Sequence, residues 1–186
     1  METWAILLRG INVGGKRIIR MQDLRETFAD MGYVDPVTYI QSGNVIVGAR
    51  RPPSSRTTST IERRLTEAFG HDVRAVVLDL AEMSAIVHAV QSDWDSADRS
   101  TRYNVIFLTP RVDARSILRT LRTKRDLERV VAGPGVLFWS APLATLSRTE
   151  MVKASAHPAY REMTVRSLRT TLALFDLMRA RDPEAI

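Results

Sequence analysis

The chain has 186 residues, of which 45% are hydrophobic and 26% charged, and it contains no cysteine. This length and composition predict a globular protein whose core is large enough to fold without cross-links, and the missing cysteines exclude disulfides, thiolate metal sites and cysteine nucleophiles. The 27 basic and 21 acidic residues give a net charge of +6, which favours an anionic partner, either a small molecule or a nucleic acid.

The sequence also lacks the marks of membrane, secreted and metal-binding proteins. No apolar stretch approaches the roughly 20 residues that a membrane-spanning helix needs. The acidic Glu2 and the short apolar run Trp4–Leu8 do not resemble a signal peptide. His71, His88 and His157 are too far apart in sequence for the spacing of a typical zinc site. We therefore expect a cytoplasmic protein with no membrane partner, no metal and no cofactor.

The first 32 residues predict a strand followed by an amphipathic helix. The continuous apolar run Trp4–Leu8 is typical of a buried strand. Further along, apolar residues recur at helical spacing until Gly32, a residue type that commonly ends a helix in the left-handed conformation. The apolar positions of this helix are Met21, Leu24, Phe28 and Met31.

The next 30 residues predict a hairpin and a surface loop. Residues 37–41 and 44–48 are rich in β-branched side chains, and Ser42 and Gly43 between them suit a tight hairpin turn. Residues 49–58 combine prolines, serines and arginines, which predicts a basic surface loop.

A second helix and a further strand follow. Thr60 is a suitable cap for the helix, and Gly70 is a suitable end. Residues 72–78 then predict a strand. The buried stripe expected on this helix comprises Ile61, Leu65, Ala68 and Phe69. The predicted order is strand, helix, strand, strand, helix, strand, which is the order of a ferredoxin-like unit.

A similar order begins again in the second half of the chain. Residues 103–108 predict a strand, and a helix opened by Pro110 follows. Residues 126–132 and 136–140 predict a strand pair joined by a glycine-proline-glycine turn.

Two helices are predicted near the C-terminus. Ser147 and Glu150 match a capping box for a helix over residues 148–156. Thr164 is a suitable cap for the last helix.

These elements predict an α+β fold of two ferredoxin-like halves, of the βαββαβ type, with antiparallel or mixed sheets and helices on one face. Residues 1–94 would form an N-terminal ferredoxin-like half, and residues 95–186 a C-terminal βαββα half with terminal helices. The alternative is one larger mixed sheet with helices on one face.

The loop after the first strand, within the sequence LLRGINVGGKR, is the main candidate for function. Gly10, Gly15 and Lys16 match most of the P-loop pattern, in which main-chain amides surround phosphates. Arg17 stands where that pattern requires a magnesium-binding hydroxyl, and the helix is expected only near Met21. The sequence therefore argues against a nucleoside triphosphatase.

A broader anion site remains a hypothesis for this loop. Glycines let the main chain approach a ligand closely, and the flanking cations would attract an anion. The residues proposed to bind a phosphorylated or otherwise anionic small ligand are Arg9, Gly10, Asn12, Gly14, Gly15 and Lys16. The alternative is that the glycines only permit a turn, that the cations are solvated and that Asn12 caps or turns the chain.

The sequences LLRGINVGGK and YIQSGNV resemble the signature of a family of bacterial proteins known only as a domain of unknown function. The resemblance covers most of the chain and is specific mainly in residues 5–47. It implies a two-part α+β structure and no catalytic residues. Members tend to have Thr-Arg-Asn-Trp at the start of the last helix, where this chain has Thr164, Val165, Arg166, Ser167 and Leu168. A family function that used the amide or the indole is therefore not implied here.

The glycine loop and the QSGN hairpin are expected to lie apart. In a ferredoxin-like unit we expect the first and third strands to run parallel, so that the loop leaving the first and the hairpin entering the third lie at opposite ends of the sheet. They could then meet only across a dimer or the interface between the halves. On that basis one half could not join them, and Gln41, Ser42 and Asn44 are interpreted as turn residues.

A second candidate surface is the helix after Pro110. Arg111, Arg115, Arg119 and Arg122 recur at steps that would align them on one helical face, as in a module that follows a nucleic-acid backbone. Such stripes also occur as simple solvated faces. A third possibility is an interaction protein that forms a homodimer. No residues can be named for catalysis, so the sequence leaves open whether the protein is an enzyme.

Overall fold

The computed structural model describes residues 1–12, 18–90, 92, 94, 95 and 97–182, and only the main chain of Ser55 and Val152. Two four-stranded antiparallel sheets with helices form the described part, which confirms the predicted α+β fold class. Contacts divide the chain into a first unit, Met1–Met83 with Ala173–Ile186, and a second unit, Ser84–Leu172. The separate domains 1–94 and 95–186 stay a prediction.

The first unit has the predicted βαββαβ order, and its sheet has the strand order β2-β3-β1-β4. Strand β1 lies in the centre and pairs antiparallel with both β3 and β4. The elements are β1 (Glu2–Arg9), α1 (Met21–Asp30), β2 (Val34–Tyr39), β3 (Asn44–Ala49), α2 (Ser55–Phe69), β4 (Arg74–Asp79) and α3 (Leu80–His88), which continues into the second unit.

The core of the first unit follows from the period of each element. Alternate residues of β1 point to the same face of the sheet, and there they pack against the apolar stripes of α1 and α2. Leu24 and Phe28 of α1 are fully buried, as predicted. Each such side chain contributes about 1.5–3 kcal/mol by leaving water. Members of this core include Trp4, Ile6, Leu8, Leu24, Phe28, Ile61 and Leu65.

Helix α2 begins earlier than predicted. Ser54 caps it by accepting a hydrogen bond from the Thr57 main-chain nitrogen, so the cap predicted at Thr60 is wrong. The surface loop predicted over residues 49–58 is wrong at both ends, because Ala49 is the buried last residue of β3 and residues 55–58 are helical. Hydroxyl groups are tolerated inside this helix because they bond back to carbonyls one turn earlier, as Thr60 does to Arg56 at 2.9 Å. Gly70 ends α2 in the left-handed conformation, as predicted.

The second unit repeats the strand order of the first, as β6-β7-β5-β8, but has fewer α-helical residues on its sheet. After β7 the chain forms three consecutive 3₁₀ helices, Leu143–Arg148, Met151–Ala156 and Pro158–Glu162, which we call the 3₁₀ segment. The other elements are β5 (Thr101–Leu108), α4 (Ala114–Thr120), β6 (Arg129–Gly133), β7 (Val136–Pro142), β8 (Met163–Ser167) and α5 (Leu168–Arg181), which ends in the first unit.

Two predicted elements near the C-terminus are wrong. The helix predicted over residues 148–156 from Ser147 and Glu150 is part of the 3₁₀ segment, because the Glu150 main-chain nitrogen donates to the Glu128 carboxylate instead of forming a capping box. The last helix does not begin at Thr164. That residue lies in β8, and Ser167 caps α5 by accepting from the Thr170 nitrogen at 3.1 Å.

Two negative findings apply to the described part of the chain. None of its helices is long and apolar enough to cross a membrane. None of its histidine, aspartate and glutamate side chains form a group of three or more that could hold a metal ion.

Candidate functional site

The loop after β1 and the β2–β3 hairpin lie at the same end of the strands of the first sheet. Strands β1 and β3 are antiparallel, with Leu7 opposite Asn44. The Leu8 main-chain nitrogen donates to the Gly43 carbonyl at 2.7 Å. The prediction that the loop and the hairpin lie at opposite ends is therefore wrong. It assumed a parallel pair, whereas neighbouring strands in this sheet are all antiparallel.

Asn12 closes the base of the loop with its side chain. Its amide oxygen accepts from the Ile19 main-chain nitrogen at 2.7 Å, and its amide nitrogen donates to the Ile19 carbonyl at 3.1 Å. The same nitrogen donates to the Gln41 carbonyl at 2.9 Å. One side chain thus joins the two ends of the glycine-rich segment and fastens both to the hairpin.

Direct packing joins the loop and the hairpin as well. Gly43 has a φ of +71°, and a Cβ at this position would lie 2.7 Å from Ile11 Cδ1 and 2.9 Å from Leu8 Cβ. Carbon atoms that are not bonded to each other do not approach so closely, so only glycine fits without a shift of its neighbours. Ile11 is buried in the core of the first unit. The main chain of the hairpin therefore rests directly on the start of the loop.

The hairpin has a four-residue connection, residues 40–43, and not the two-residue turn predicted at Ser42 and Gly43. Ile40 is exposed with a φ of +50°. Asn44 is fully buried, and its amide nitrogen donates to the Tyr39 carbonyl and to the Ser42 hydroxyl oxygen. These hydrogen bonds hold the longer connection in one conformation beside the loop.

The structure describes two of the other residues predicted for the anion site. Gly10 has a φ of +77°, so a glycine is required where the chain leaves β1. Arg9 is half-buried at the end of β1, opposite Arg74 of β4. Gly14, Gly15 and Lys16 lie outside the described residues.

Charge compensation is local on β4. The Arg74 guanidinium lies 3.4 Å from carboxylate oxygens of both Glu62 and Asp72. Glu62 is buried and also accepts from the Ala75 main-chain nitrogen on the open edge of β4. These carboxylates offset the charge of Arg74 beside Arg9.

The predicted arginine stripe is not formed on one helix. Helix α4 covers only Ala114–Thr120, because the Asp113 side chain caps it and the chain is extended from Leu121. Arg115 and Arg119 lie on α4 and are exposed. Arg111 precedes the helix, 3.5 Å from the buried Glu162 carboxylate, and Arg122 follows it. Nucleic-acid binding by these four residues stays a prediction.

A buried carboxylate that was not predicted from the sequence organises the second unit. Glu128 accepts hydrogen bonds from the Trp139 indole nitrogen at 2.8 Å and from the main-chain nitrogens of Lys124, Glu150 and Met151 at 3.0, 2.8 and 3.2 Å. It therefore fastens the 3₁₀ segment to the sheet. No local pattern marks this role, because the donors come from three separate parts of the chain.

The C-terminal sequence noted in the family resemblance is internally bonded. Arg166 is buried, and its guanidinium donates to the Thr164 hydroxyl oxygen and to the Val165 carbonyl, each at 2.9 Å. Burial lowers the pKa of Arg166 to about 10. Thr164 and Arg166 are thus hydrogen-bonded to each other within β8, while Ser167 caps α5.

The second unit also contains a cavity of about 280 Å³ between its sheet and the 3₁₀ segment. Arg102, Asn104 and Ile106 line it from β5, and Trp139 lines it from β7. This cavity was not predicted from the sequence. The signal that could have indicated it is the alternation along β5, where one face begins polar and ends apolar.

Comparisons with known proteins agree with the fold and name no activity. The chain is similar to the conserved bacterial protein SP0830 from Streptococcus pneumoniae, with 24% sequence identity and a TM-score of 0.84 over 96% of this chain and 99% of that one. This likeness shows the fold alone. The comparison with curated proteins found no match.

The family model described as "Protein of unknown function (DUF1697)" matches residues 1–138. This range contains the glycine loop, the QSGN hairpin and most of both sheets. The resemblance noted in the sequence is therefore confirmed. The chain belongs to the family of proteins of unknown function DUF1697.

Proposed function

We propose that the protein binds a small anionic ligand, such as a phosphorylated metabolite, at the loop between β1 and α1, with the β2–β3 hairpin beside it. The observation that carries this proposal is the closure of the loop by Asn12, which bonds to Ile19 and Gln41. A glycine-rich segment whose two ends are fixed loses less entropy when its amides order around a ligand than a free loop would.

The proposal divides the roles among the predicted residues. Main-chain amides near Gly10, Gly14 and Gly15 would donate to the anion, because the glycines let the backbone approach closely. Arg9 and Lys16 would supply positive charge.

Asn12 has a positioning role in this proposal. An amide side chain offers two hydrogens and two oxygen lone pairs, and three of these four positions are already used. The position that remains is a lone pair, which does not attract an anion. Gln41 is exposed where Asn12 holds the hairpin, and its side-chain amide is a further donor.

Calorimetry with pyrophosphate, nucleotides and sugar phosphates tests the proposal. We expect Lys16→Ala, and the double variant Gly14→Val with Lys16→Ala, to bind at least about tenfold more weakly than the wild type, since a charge-assisted hydrogen bond contributes about 1.5–3 kcal/mol. Arg119→Ala is the matched control, because it removes the same charge from the second unit. Equal heats for the wild type and the loop variants would remove the proposal.

The same protein samples separate the alternatives. Affinity for short RNA or DNA that falls steeply with salt and is lost in Arg115→Ala with Arg119→Ala would indicate a nucleic-acid-binding module instead. A mass that rises with protein concentration and does not respond to any of these ligands would indicate an interaction protein.

A further inference from the structure

The cavity in the second unit has an apolar base. Ile106, Trp139 and Met163 line it, and all three side chains are buried. The 3₁₀ segment contributes Met151 and Ala154. Ile106, Trp139 and Met163 belong to the same core cluster as Ala114 and Ile117 of α4. The three 3₁₀ helices leave a space here between themselves and the sheet.

Polarity rises along β5 from the base of this cavity to the solvent. Arg102, Asn104 and Ile106 lie on one face of the strand, with about 7 Å between successive members. Ile106 is buried, Asn104 is half-buried and Arg102 is exposed. A ligand lying along the strand would therefore meet apolar atoms at one end and hydrogen-bond donors at the other.

The polar groups at this end can bond to a ligand. Across the described residues, neither the Arg102 guanidinium nor the Asn104 side-chain amide makes a hydrogen bond or an ion pair. A half-buried polar group such as the Asn104 amide is normally hydrogen-bonded, and the exposed Arg102 guanidinium lies on the same wall of the cavity. Both donors therefore suit an acceptor group on a ligand.

The lining also limits the charge and size of the ligand. Arg102 is the one charged residue among the described residues that line the cavity, so it can balance a single negative charge. Val165, at the cavity, is 43% exposed and offers further apolar surface. The volume lies just below the roughly 300–1,000 Å³ of sites for drug-sized molecules.

We propose that this cavity binds a small monocarboxylate with a flat or branched apolar body. The carboxylate accepts hydrogen bonds from Arg102 and Asn104, and the apolar body packs against Trp139 and Met163. This site is separate from the proposed anion loop and does not depend on it.

NMR spectroscopy of the ¹⁵N-labelled full chain, titrated with 3-phenylpropionate, tests this assignment. We expect shifts of the Asn104 side-chain amide and the Trp139 indole N–H. The neutral amide of the same acid should bind at least about tenfold more weakly, because it loses the charge-assisted hydrogen bonds. Phenyl phosphate, which carries more charge, should also bind more weakly. Equal affinity for acid and amide, or tighter binding of phenyl phosphate, would overturn the monocarboxylate assignment.

Three variants locate the binding. Arg102→Gln should weaken 3-phenylpropionate binding at least about tenfold, while Arg99→Gln, which removes an exposed arginine outside the cavity, should leave it unchanged. Ala154→Leu should abolish binding by filling the space. Unchanged affinity in Arg102→Gln overturns the proposal even if Ala154→Leu does not fold. Absent binding to the wild type, or shifts confined to other residues, overturns it as well.

Discussion

In the first unit the Leu8 main-chain nitrogen donates to Gly43 at 2.7 Å, and in the second unit Leu108 donates to Gly135 at 3.0 Å. Both pairs join the end of a central strand to the hairpin that enters its neighbour, and both glycines have positive φ. The two units therefore share one backbone arrangement at this end of their central strands.

The side chains around this shared turn differ. In the first unit Asn12 closes the loop and binds the hairpin. In the second unit Thr109 follows the strand, and its hydroxyl donates to the buried Glu162 carboxylate at 2.6 Å. Arg111 pairs with the same carboxylate. The same backbone position is thus surrounded by an acidic group in the second unit and by an amide in the first. For this reason we propose an anion site in the first unit and none at the equivalent position of the second.

The helices that cover the two sheets also differ. Helices α1 and α2 pack on the first sheet. The second sheet has the seven-residue α4 and the 3₁₀ segment, which Glu128 holds.

Removing the Glu128 carboxylate should produce the largest loss. Glu128→Ala leaves the Trp139 indole and three main-chain nitrogens without their acceptor, so we expect the free energy of unfolding in urea to fall by about 4 kcal/mol. The matched control is Glu150→Ala, which removes partly exposed ion pairs with Lys124 and Lys153 and should cost much less than Glu128→Ala. Similar losses in the two variants would show that Glu128 does not hold the 3₁₀ segment.

A core side chain of helix α1 should contribute more to the free energy of unfolding than one of α4. Leu24 is fully buried and Leu118 is half-buried. Leu24→Ala should therefore cost about 3 kcal/mol, while Leu118→Ala should cost about 1 kcal/mol because less apolar area and a smaller cavity are involved. Chemical denaturation of both variants gives the comparison. A larger loss at Leu118 would mean that the second sheet is covered as tightly as the first.

The two equivalent glycines should respond unequally to alanine. Gly135 has a φ of +65°, and a Cβ added there would have no neighbouring atom within 4 Å, whereas a Cβ on Gly43 would meet Leu8 and Ile11. We expect a cost of about 1 kcal/mol for Gly135→Ala from backbone strain alone. Gly43→Ala adds overpacking and should cost about 2 kcal/mol or more. Thermal unfolding of the pair measures the difference, and equal costs would contradict the close packing of hairpin on loop.

The smallest effect concerns pH and the second unit. The pKa of Asp98 is lowered to about 2, chiefly because its carboxylate accepts from the Ser100 main-chain nitrogen and hydroxyl, each at 2.7 Å. A depressed pKa means that this group stabilises the fold above its unfolded value of 3.8 and loses that contribution as the pH falls towards about 2. Carboxyl NMR should give a pKa near 2, and Ser100→Ala should raise it. A pKa near 3.8 in the wild type would rule out these hydrogen bonds.

The parts of the fold that were predicted correctly depend on local patterns. The helical spacing of Leu24 and Phe28 and the glycine after α1 are visible within a dozen residues. The parts that were missed depend on distant partners. Thr164 and Val165 suit a strand, but their pairing with β5 spans about 60 residues, and no local pattern distinguishes this strand from the start of a helix. The start of α2 was missed because Ser54 and Thr60 are both good caps.

The candidate site was predictable only in part. Gly10 stands out in the sequence as a loop glycine, and its φ of +77° is one that favours glycine. The link between Asn12 and Gln41 was missed because it depends on the antiparallel pairing of β1 and β3, which no local pattern specifies. The cavity of the second unit requires the packing of the 3₁₀ segment on the sheet, and that packing depends on Glu128 and not on any continuous motif.

The most direct test of the proposed anion site is a ¹H–¹⁵N NMR titration of the full chain with pyrophosphate. We predict that the main-chain amide signals of Gly10, Asn12 and Gln41 shift and that the shifts saturate with pyrophosphate. The amide signals of Thr109 and Arg111, at the equivalent end of β5 in the second unit, should stay unchanged. Equal shifts after β1 and after β5, or none at Gly10 and Asn12, would contradict an anion site in the first unit.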